Sequence, residues 1–243
     1  MIQKSLQSAL HLVYPPRCSL CGGLVDSDFA LCGSCWRDTP IISGTTCDKC
    51  GVPLPGDSVG GLERCDDCLR VARPWSRGHA ALLYRDNARR IALSLKHGDR
   101  HDIVPVAATF MARVLGSDLP RDTLFVPVPL HWTRMLKRRF NQSALLAHAV
   151  AQRLGYDDCP DALIRRRQTP SLEGLGSDAR FAALNGALAP HPKRGGILAG
   201  RSVMIVDDVM TSGATLAAAT EACLKAKARD VQVLVLARAA HAP

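Results

Sequence analysis

The sequence predicts an α/β protein in which a parallel sheet carries helices on both faces and a small cysteine-rich domain comes first. From about residue 78, short apolar runs rich in β-branched residues alternate with segments of helical periodicity. Before that point the chain is rich in glycine, proline and paired cysteines. A chain of 243 residues has room for one medium domain beside a mini-domain. We expect a short helix at 1–14, the cysteine-rich domain at 15–75 and the α/β domain at 78–243.

The elements of the α/β domain follow one another as strand and helix. Gly98 and Gly155 stand where two helices are expected to end, and Pro105 is tolerated in the first turn of another. The predicted strands are 79–84, 123–128, 161–166, 202–206 and 231–237, and the predicted helices are 86–97, 102–115, 142–154 and 215–227. Strands separated by helices favour a parallel sheet, and ligands bind such sheets at the carboxyl ends of the strands.

The run from Val203 to Thr215 is the strongest functional signal. An apolar strand is followed by Asp207 and Asp208, then by a short run of hydroxyl residues and glycine that opens a helix. Unpaired N–H groups and the helix dipole favour an anion there, and carboxylates accept hydrogen bonds from sugar hydroxyls. The sequence therefore predicts a phosphorylated-sugar pocket; the alternative is an aspartate turn capping an ordinary helix. The phosphate loop consists of Thr211, Ser212, Gly213, Ala214 and Thr215.

Eight of the ten cysteines form four C-x-x-C pairs. Each pair can place two thiolates on one tetrahedral ion, so eight sulfurs suit two closed, structural zinc sites. Gly22 and Gly51 follow the first and third pairs and favour sequential pairing; an interleaved arrangement is the alternative. Disulfides are disfavoured because nothing marks export. The pairs are Cys18/Cys21, Cys32/Cys35, Cys47/Cys50 and Cys65/Cys68.

The formal net charge is +9, and the segment from His131 to Arg167 carries a local excess of +5. Such a positive field favours binding of a polyanion. Pyrophosphate would account for part of the excess positive charge and nucleic acid for all of it, whereas a solvated charged face is the alternative. Only 5% of the residues are aromatic, which weakens a dedicated single-strand-binding function. Trp132 is the aromatic residue expected near the ligand edge.

The chain has no run of eighteen apolar residues and no signal-peptide core, so we expect a soluble cytoplasmic protein without a membrane span. Residues 2–13 show helical apolar spacing that ends before Pro15. Lys4 is the only formally charged side chain there, which favours a packing helix over a helix on a membrane surface.

The run from Val203 to Thr215 resembles the signature of type I phosphoribosyltransferases. The resemblance implies that Asp207 and Asp208 hold the ribose 2′- and 3′-hydroxyls, that the phosphate loop holds the 5′-phosphate, and that Mg²⁺ accompanies phosphoribosyl pyrophosphate. With the four cysteine pairs, three further blocks resemble the ComF family, which includes bacterial competence proteins and GntX-type proteins linked to DNA as a nutrient. These blocks are Leu95-Lys96-His97-Gly98-Asp99, Val126-Pro127-Val128-Pro129-Leu130-His131 and Arg138-Arg139-Phe140-Asn141-Gln142-Ser143.

The family resemblance implies a double zinc ribbon followed by a type I phosphoribosyltransferase-like domain, and it assigns further site residues. The turn Pro129–Thr133, with Leu130 and His131, would face the pyrophosphate. Residues 168–180 would form a mobile flap. The cationic candidates for pyrophosphate are Lys96, Arg134 and Arg138, and the flap candidates are Thr169, Pro170, Ser171 and Arg180.

Three positions depart from the family pattern. Arg139 stands at a glycine position, Leu172 replaces a flap glutamine and Ala183 replaces an asparagine. These changes permit ligand binding without guaranteeing turnover. We expect a protein that binds phosphoribosyl pyrophosphate or a related ribose 5-phosphate ligand and assists uptake or handling of single-stranded DNA, with DNA-uptake machinery proteins as partners. The alternatives are an active phosphoribosyltransferase that moves ribose 5-phosphate to a nucleobase-like acceptor, and a structural zinc module with a relic site.

Overall fold

A computed structural model describes residues 11, 14–57, 60–96, 100–116, 119–167 and 176–239. The predicted N-terminal helix at 1–14 falls outside these residues except for His11 and Tyr14, and so does most of the predicted flap.

The strands in the described part of the chain are β1 Gly78–Leu83, β2 Leu124–Pro127, β3 Asp157–Asp158, β4 Leu163–Arg165, β5 Leu188–Pro190, β6 Ser202–Met210 and β7 Asp230–Arg238. Five of them form one parallel sheet in the order β1-β7-β6-β2-β3. The parallel α/β fold is confirmed. The strand predicted at 161–166 exists as β4, but it pairs with β5 in a separate antiparallel ribbon because β5 supplies a nearby free edge.

The helices of the described residues agree with the prediction best where capping signals are strong. The Asn141 side chain accepts a hydrogen bond from Ser143 N at the start of α6, and Gly155 ends that helix with a φ of 75°. Four helices were not predicted: α1 and α2 in the cysteine-rich domain, and α5 and α7 in the α/β domain. The helices are α1 Gly33–Arg37, α2 Asp66–Arg70, α3 Asp86–Ser94, α4 Val104–Arg113, α5 Trp132–Arg138, α6 Gln142–Leu154, α7 Ser177–Leu184 and α8 Ala214–Lys225.

The sheet separates two hydrophobic layers. Alternate residues of β6 point to opposite sides, so Met204 and Val206 pack with α3, α4 and α6. Val203 and Ile205 pack on the other side with α8, the β4–β5 ribbon and the cysteine-rich segment around Trp75. The sheet is thus covered on both faces, as a parallel sheet requires.

The cysteine-rich domain wraps the free edge of β1. Ile42 N donates to Ala81 O at 3.0 Å, and Leu83 N donates to Pro40 O at 2.9 Å. These bonds cover backbone groups that an edge strand would otherwise expose. Gly51 has a φ of 69°, and a Cβ there would lie 2.5 Å from the backbone N of Ala80, so only glycine fits this approach.

Candidate functional site

The paired aspartates lie inside β6, which continues to Met210 rather than ending at residue 206 as predicted. The extension follows from pairing with β7, whose ladder includes Asp207↔Val235 and continues to the end of the strand. Ser143 Oγ, at the start of α6, donates to Asp207 Oδ1 at 2.8 Å. Lys96 Nζ lies 3.3 Å from Asp208 Oδ2. Asp207 therefore has a hydrogen-bond partner from α6, whereas Asp208 has Lys96 as an ion-pair partner.

The surroundings of Asp207 change its ionisation. Burial raises the pKa of Asp207 to about 7, and the negative charge of Asp208 acts in the same direction. The hydrogen bond from Ser143 and the charge of Lys96 oppose this rise. Asp207 is therefore protonated below about pH 7 and ionised above it.

The phosphate loop connects the carboxyl end of β6 to the N-terminus of α8. Gly213 has a φ of 80°, which brings the chain into the helix at Ala214, one residue earlier than predicted. Arg180 Nη1 donates to Thr211 Oγ1 at 3.3 Å, so the start of α7 reaches the loop. Backbone donors at this helix start lie beside an arginine, an arrangement that suits an anion.

The turn after β2 lies beside the aspartates because Pro127 pairs with Val206 across the sheet. The predicted turn 129–133 includes Pro129 and Leu130 but ends at His131, since α5 begins at Trp132. The buried His131 ring caps that helix: its Nδ1 accepts from Thr133 N at 3.4 Å and lies 2.8 Å from Thr133 Oγ1. The helix is capped by a histidine, a weaker sequence signal than serine, threonine or aspartate.

The predicted site residues are distributed around this edge of the sheet. Lys96, expected on the pyrophosphate side, contacts Asp208. Arg134 and Arg138 belong to α5, but their side chains fall outside the described part, as do Thr169, Pro170 and Ser171. Residues that the sequence reasoning did not assign to the site are Ser143, Arg73 and Arg238, which contact Asp207, Ser212 and Thr211 respectively.

The cysteines form two clusters with the sequential pairing, so the interleaved alternative is wrong. Within each cluster the four Sγ atoms lie within 4.8 Å of one another, and all ten cysteines are free thiols. A tetrahedral ion with Zn–S bonds of about 2.3 Å would separate its sulfurs by about 3.8 Å. The first centre consists of Cys18, Cys21, Cys32 and Cys35, and the second of Cys47, Cys50, Cys65 and Cys68.

Both clusters fit structural zinc, since four sulfurs close each coordination sphere. The Cys21 and Cys32 sulfurs lie 3.6 Å apart in the first centre, as do those of Cys50 and Cys65 in the second. In the first centre a hydrogen bond from Ser34 lowers the pKa of Cys32 to about 6, which favours the thiolate that zinc binds. Among the described residues, no helix has the length and apolar character needed to cross a bilayer.

The architecture defines a class of protein: a double zinc ribbon joined to a phosphoribosyltransferase-type domain. The family model for a double zinc ribbon domain matches residues 9–69, and the model for a phosphoribosyl transferase domain matches residues 141–243.

Curated relatives extend this match over most of the chain. The DNA utilization protein YhgH of Salmonella typhimurium is 30% identical over 235 residues, which cover 93% of this chain and 99% of the relative. Its Escherichia coli counterpart is 29% identical with the same coverage. Competence protein F of Haemophilus influenzae is 25% identical over 229 residues, covering 92% of this chain and 97% of that protein. The chain belongs to the ComF family of competence and DNA utilization proteins.

Proposed function

We propose that this protein binds phosphoribosyl pyrophosphate, or a related ribose 5-phosphate ligand, at the carboxyl end of β6 and assists the uptake or handling of single-stranded DNA. The observation that carries the ligand proposal is the arrangement around β6. Asp207 and Asp208 lie near the carboxyl end of the strand, and the phosphate loop follows at the start of α8, where Arg180 contacts Thr211.

The 5′-phosphate and the ribose of such a ligand each have chemical partners here. The phosphate loop supplies backbone N–H groups, and the hydroxyls of Thr211, Ser212 and Thr215 add side-chain donors. Asp207 and Asp208 accept hydrogen bonds from ribose hydroxyls. Mg²⁺ fits the same donor set, because it binds one or two carboxylates together with the phosphates of its substrate.

Binding without turnover is favoured by the composition of the flap. Leu172 and Ala183 stand where the family pattern has polar side chains. An active transferase would break the bond between pyrophosphate and the anomeric carbon and form a bond from that carbon to an acceptor. Fewer polar groups over the departing pyrophosphate leave its charge less stabilised.

The DNA proposal rests on α5 and the residues after it. Trp132 and Leu136 are 65% and 72% exposed, one helical turn apart, and Arg139 is exposed beside them. This surface lies in the segment with the local excess of positive charge. An exposed indole stacks on unpaired bases while cations contact the backbone, which is how proteins bind single strands without sequence preference.

Calorimetry with phosphoribosyl pyrophosphate and Mg²⁺ tests the ligand proposal, followed by an assay of pyrophosphate release on the same sample. We expect binding in the wild type and its loss in the double variant Asp207→Asn/Asp208→Asn. The matched control is Asp157→Asn/Asp158→Asn, which changes another adjacent aspartate pair, on β3. Absence of wild-type binding would overturn the proposal, and pyrophosphate release with an acceptor would establish the transferase alternative.

Fluorescence anisotropy with a labelled oligonucleotide tests the DNA proposal over a range of salt concentrations. We expect affinity that falls steeply with salt, and a loss of about 1–3 kcal/mol on Trp132→Ala. Arg139→Ala should reduce the slope of the salt dependence, whereas Arg37→Ala, an exposed arginine of α1, serves as the matched control. Absence of oligonucleotide binding, or an affinity that does not change with salt concentration, would refute the DNA proposal.

A further inference from the structure

We infer that the second zinc centre positions the phosphate loop, and that Arg73 is the residue through which it acts. The inference deepens the proposed function, since the loop's ligand rests on that proposal. It assigns to this zinc centre a part in ligand binding, beyond holding its own domain together.

Arg73 and Trp75 lie directly against the loop. Arg73 Nη1 donates to Ser212 O at 2.5 Å. A Cβ placed on Gly213 would come within 2.9 Å of Arg73 Nη1 and 3.1 Å of the Trp75 ring. The guanidinium also lies over that ring, 5.6 Å from its centroid, which limits the positions it can adopt.

The same arginine is linked to the zinc centre through Trp75. Trp75 packs in one buried cluster with Cys47, Cys50 and Cys68. It is 1% exposed, and its Nε1 donates at 2.6 Å to Lys49 O, between Cys47 and Cys50. The segment that supports the loop is therefore fixed against the second centre.

A second buried arginine holds the neighbouring carbonyls. Arg238 is 3% exposed, and its Nη1 donates to Thr211 O at 2.9 Å and to Met210 O at 3.3 Å. Its Nη2 lies 3.9 Å from Asp67 of α2, between the last two cysteines of the centre. Three consecutive carbonyls are thus held by arginines of, or in contact with, the cysteine-rich domain: that of Met210 at the end of β6, and those of Thr211 and Ser212 in the phosphate loop.

Holding the carbonyls determines where the loop amides point. In a planar trans peptide, the C=O of one residue and the N–H of the next point in opposite directions. Carbonyls directed toward Arg73 and Arg238 therefore direct the N–H groups of Thr211, Ser212 and Gly213 away from the zinc domain. Successive N–H groups that converge in this way form an anion-binding concavity.

The test compares full-length variants that retain all eight zinc-binding cysteines. Arg73→Met should keep two zinc ions per chain by metal analysis, speed hydrogen–deuterium exchange of residues 210–216 without ligand, and weaken phosphoribosyl pyrophosphate binding on the order of 10- to 100-fold. Arg73→Lys, which keeps a charged donor, should recover part of both effects. Arg70→Met, an exposed arginine at the end of α2, should change neither.

The outcomes separate this inference from the proposed function. Wild-type protein that fails to bind the ligand overturns the proposed function, while the exchange comparison still decides whether Arg73 braces the loop. Unchanged loop exchange and affinity in Arg73→Met overturn the inference, and so does loss of zinc, which would make Arg73 a part of the metal site. Should Arg73→Met fail to fold, Arg73→Lys against wild type gives the same comparison.

Discussion

The two zinc centres have the same four-cysteine chemistry but different surroundings. The first lies on the side of the sheet that is covered by α3, α4 and α6. There Trp36 of α1 stacks on Phe110 with ring centroids 5.0 Å apart, and Cys21 of this centre is exposed. The second lies on the opposite side, where Cys47 and Cys50 are fully buried in the core shared with α8. One centre borders solvent, and the other forms part of the support of the candidate ligand site.

A four-cysteine motif therefore predicts that zinc is bound, but it does not predict which part of the fold the zinc stabilises. Around the first centre, Asn87 of α3 donates to Cys35 O at 3.0 Å, so this centre is attached to the helical layer. Around the second, Arg73 and Arg238 connect to the phosphate loop. Identical ligand sets therefore stabilise different parts of the fold, and their loss should have different consequences.

Removing one ligand from each centre should give the largest contrast. Structural zinc contributes about 10–16 kcal/mol of binding free energy, comparable to the whole stability of a typical domain. Cys50→Ala should lose one zinc per chain, lower the melting temperature sharply and speed exchange in residues 210–216. Cys21→Ala should also lose one zinc but leave the loop protected. Metal analysis, thermal unfolding and hydrogen exchange measure this, and equal loop exchange in the two variants would remove the distinction.

The two tryptophans of the cysteine-rich domain allow the same comparison of the two centres without substitution of a zinc ligand. Trp75 is nearly fully buried beneath the loop, so Trp75→Ala should cost about 3–5 kcal/mol in the free energy of unfolding. Trp36 is 39% exposed, so Trp36→Ala should cost less than this; its stacking on Phe110 adds about 1 kcal/mol to the loss of its buried area. Urea unfolding gives both values. Similar losses would mean that the first centre is packed as firmly as the second.

At the ligand end, pH provides the next comparison. Because the pKa of Asp207 is raised to about 7, the folded protein holds a proton that the unfolded chain releases near pH 4. The stability of the wild type should therefore fall as pH rises from about 4 to 7. Asp207→Asn should be more stable than wild type by about 3 kcal/mol at pH 8, after allowing for the weaker bond to Ser143, and no more stable at pH 4.

Ligand affinity should change in the opposite sense. Asp207 must lose its proton to accept ribose hydroxyls or Mg²⁺, so affinity for phosphoribosyl pyrophosphate should rise about tenfold from pH 6 to pH 8 and level off above it. Calorimetry checks this, with Asp157→Asn as a control that should follow the wild type. An affinity independent of pH over this range would show that Asp207 is already ionised.

Much of the fold follows from local sequence signals, and the exceptions have physical reasons. Helix α6 has its predicted limits because Asn141 and Gly155 cap it. Helix α7 was not predicted; Phe181 and Leu184 anchor it on the core that includes α8, a contact between segments distant in sequence. The ribbon of β4 and β5 likewise depends on pairing across more than twenty residues, which a single-sequence pattern does not reveal.

The candidate site divides in the same way. The aspartates, the phosphate loop and each cysteine pair give a local signal because each lies within one short motif. Ser143 and Arg73 do not, because they meet Asp207 and Ser212 across 64 and 139 residues of sequence. A serine or arginine gives no local signal of such a contact. The support of the loop therefore becomes visible only when the two domains are seen together.

The smallest effect is expected at Arg139, a residue whose described contacts involve neither zinc centre. It ends α5 with a φ of 65°, a left-handed conformation that favours glycine, and it occupies the glycine position of the family pattern. Arg139→Gly should therefore stabilise the protein by about 1 kcal/mol, whereas Arg139→Ala keeps the backbone strain and should not. Zinc content and loop exchange should be unchanged in both.

Comparison of Arg139→Gly with Arg139→Ala also separates the effect of backbone conformation from the effect of side-chain charge. Both variants remove the same exposed cation, so both should weaken binding of a single-stranded oligonucleotide by a similar factor and reduce its salt dependence by about one unit of slope. Urea unfolding and anisotropy on the same preparations measure the two properties. If Arg139→Gly and Arg139→Ala had equal stability, backbone strain at residue 139 would not be lowering the stability of the wild type. If only one weakened DNA binding, the conformation at the end of α5 would matter more than the charge.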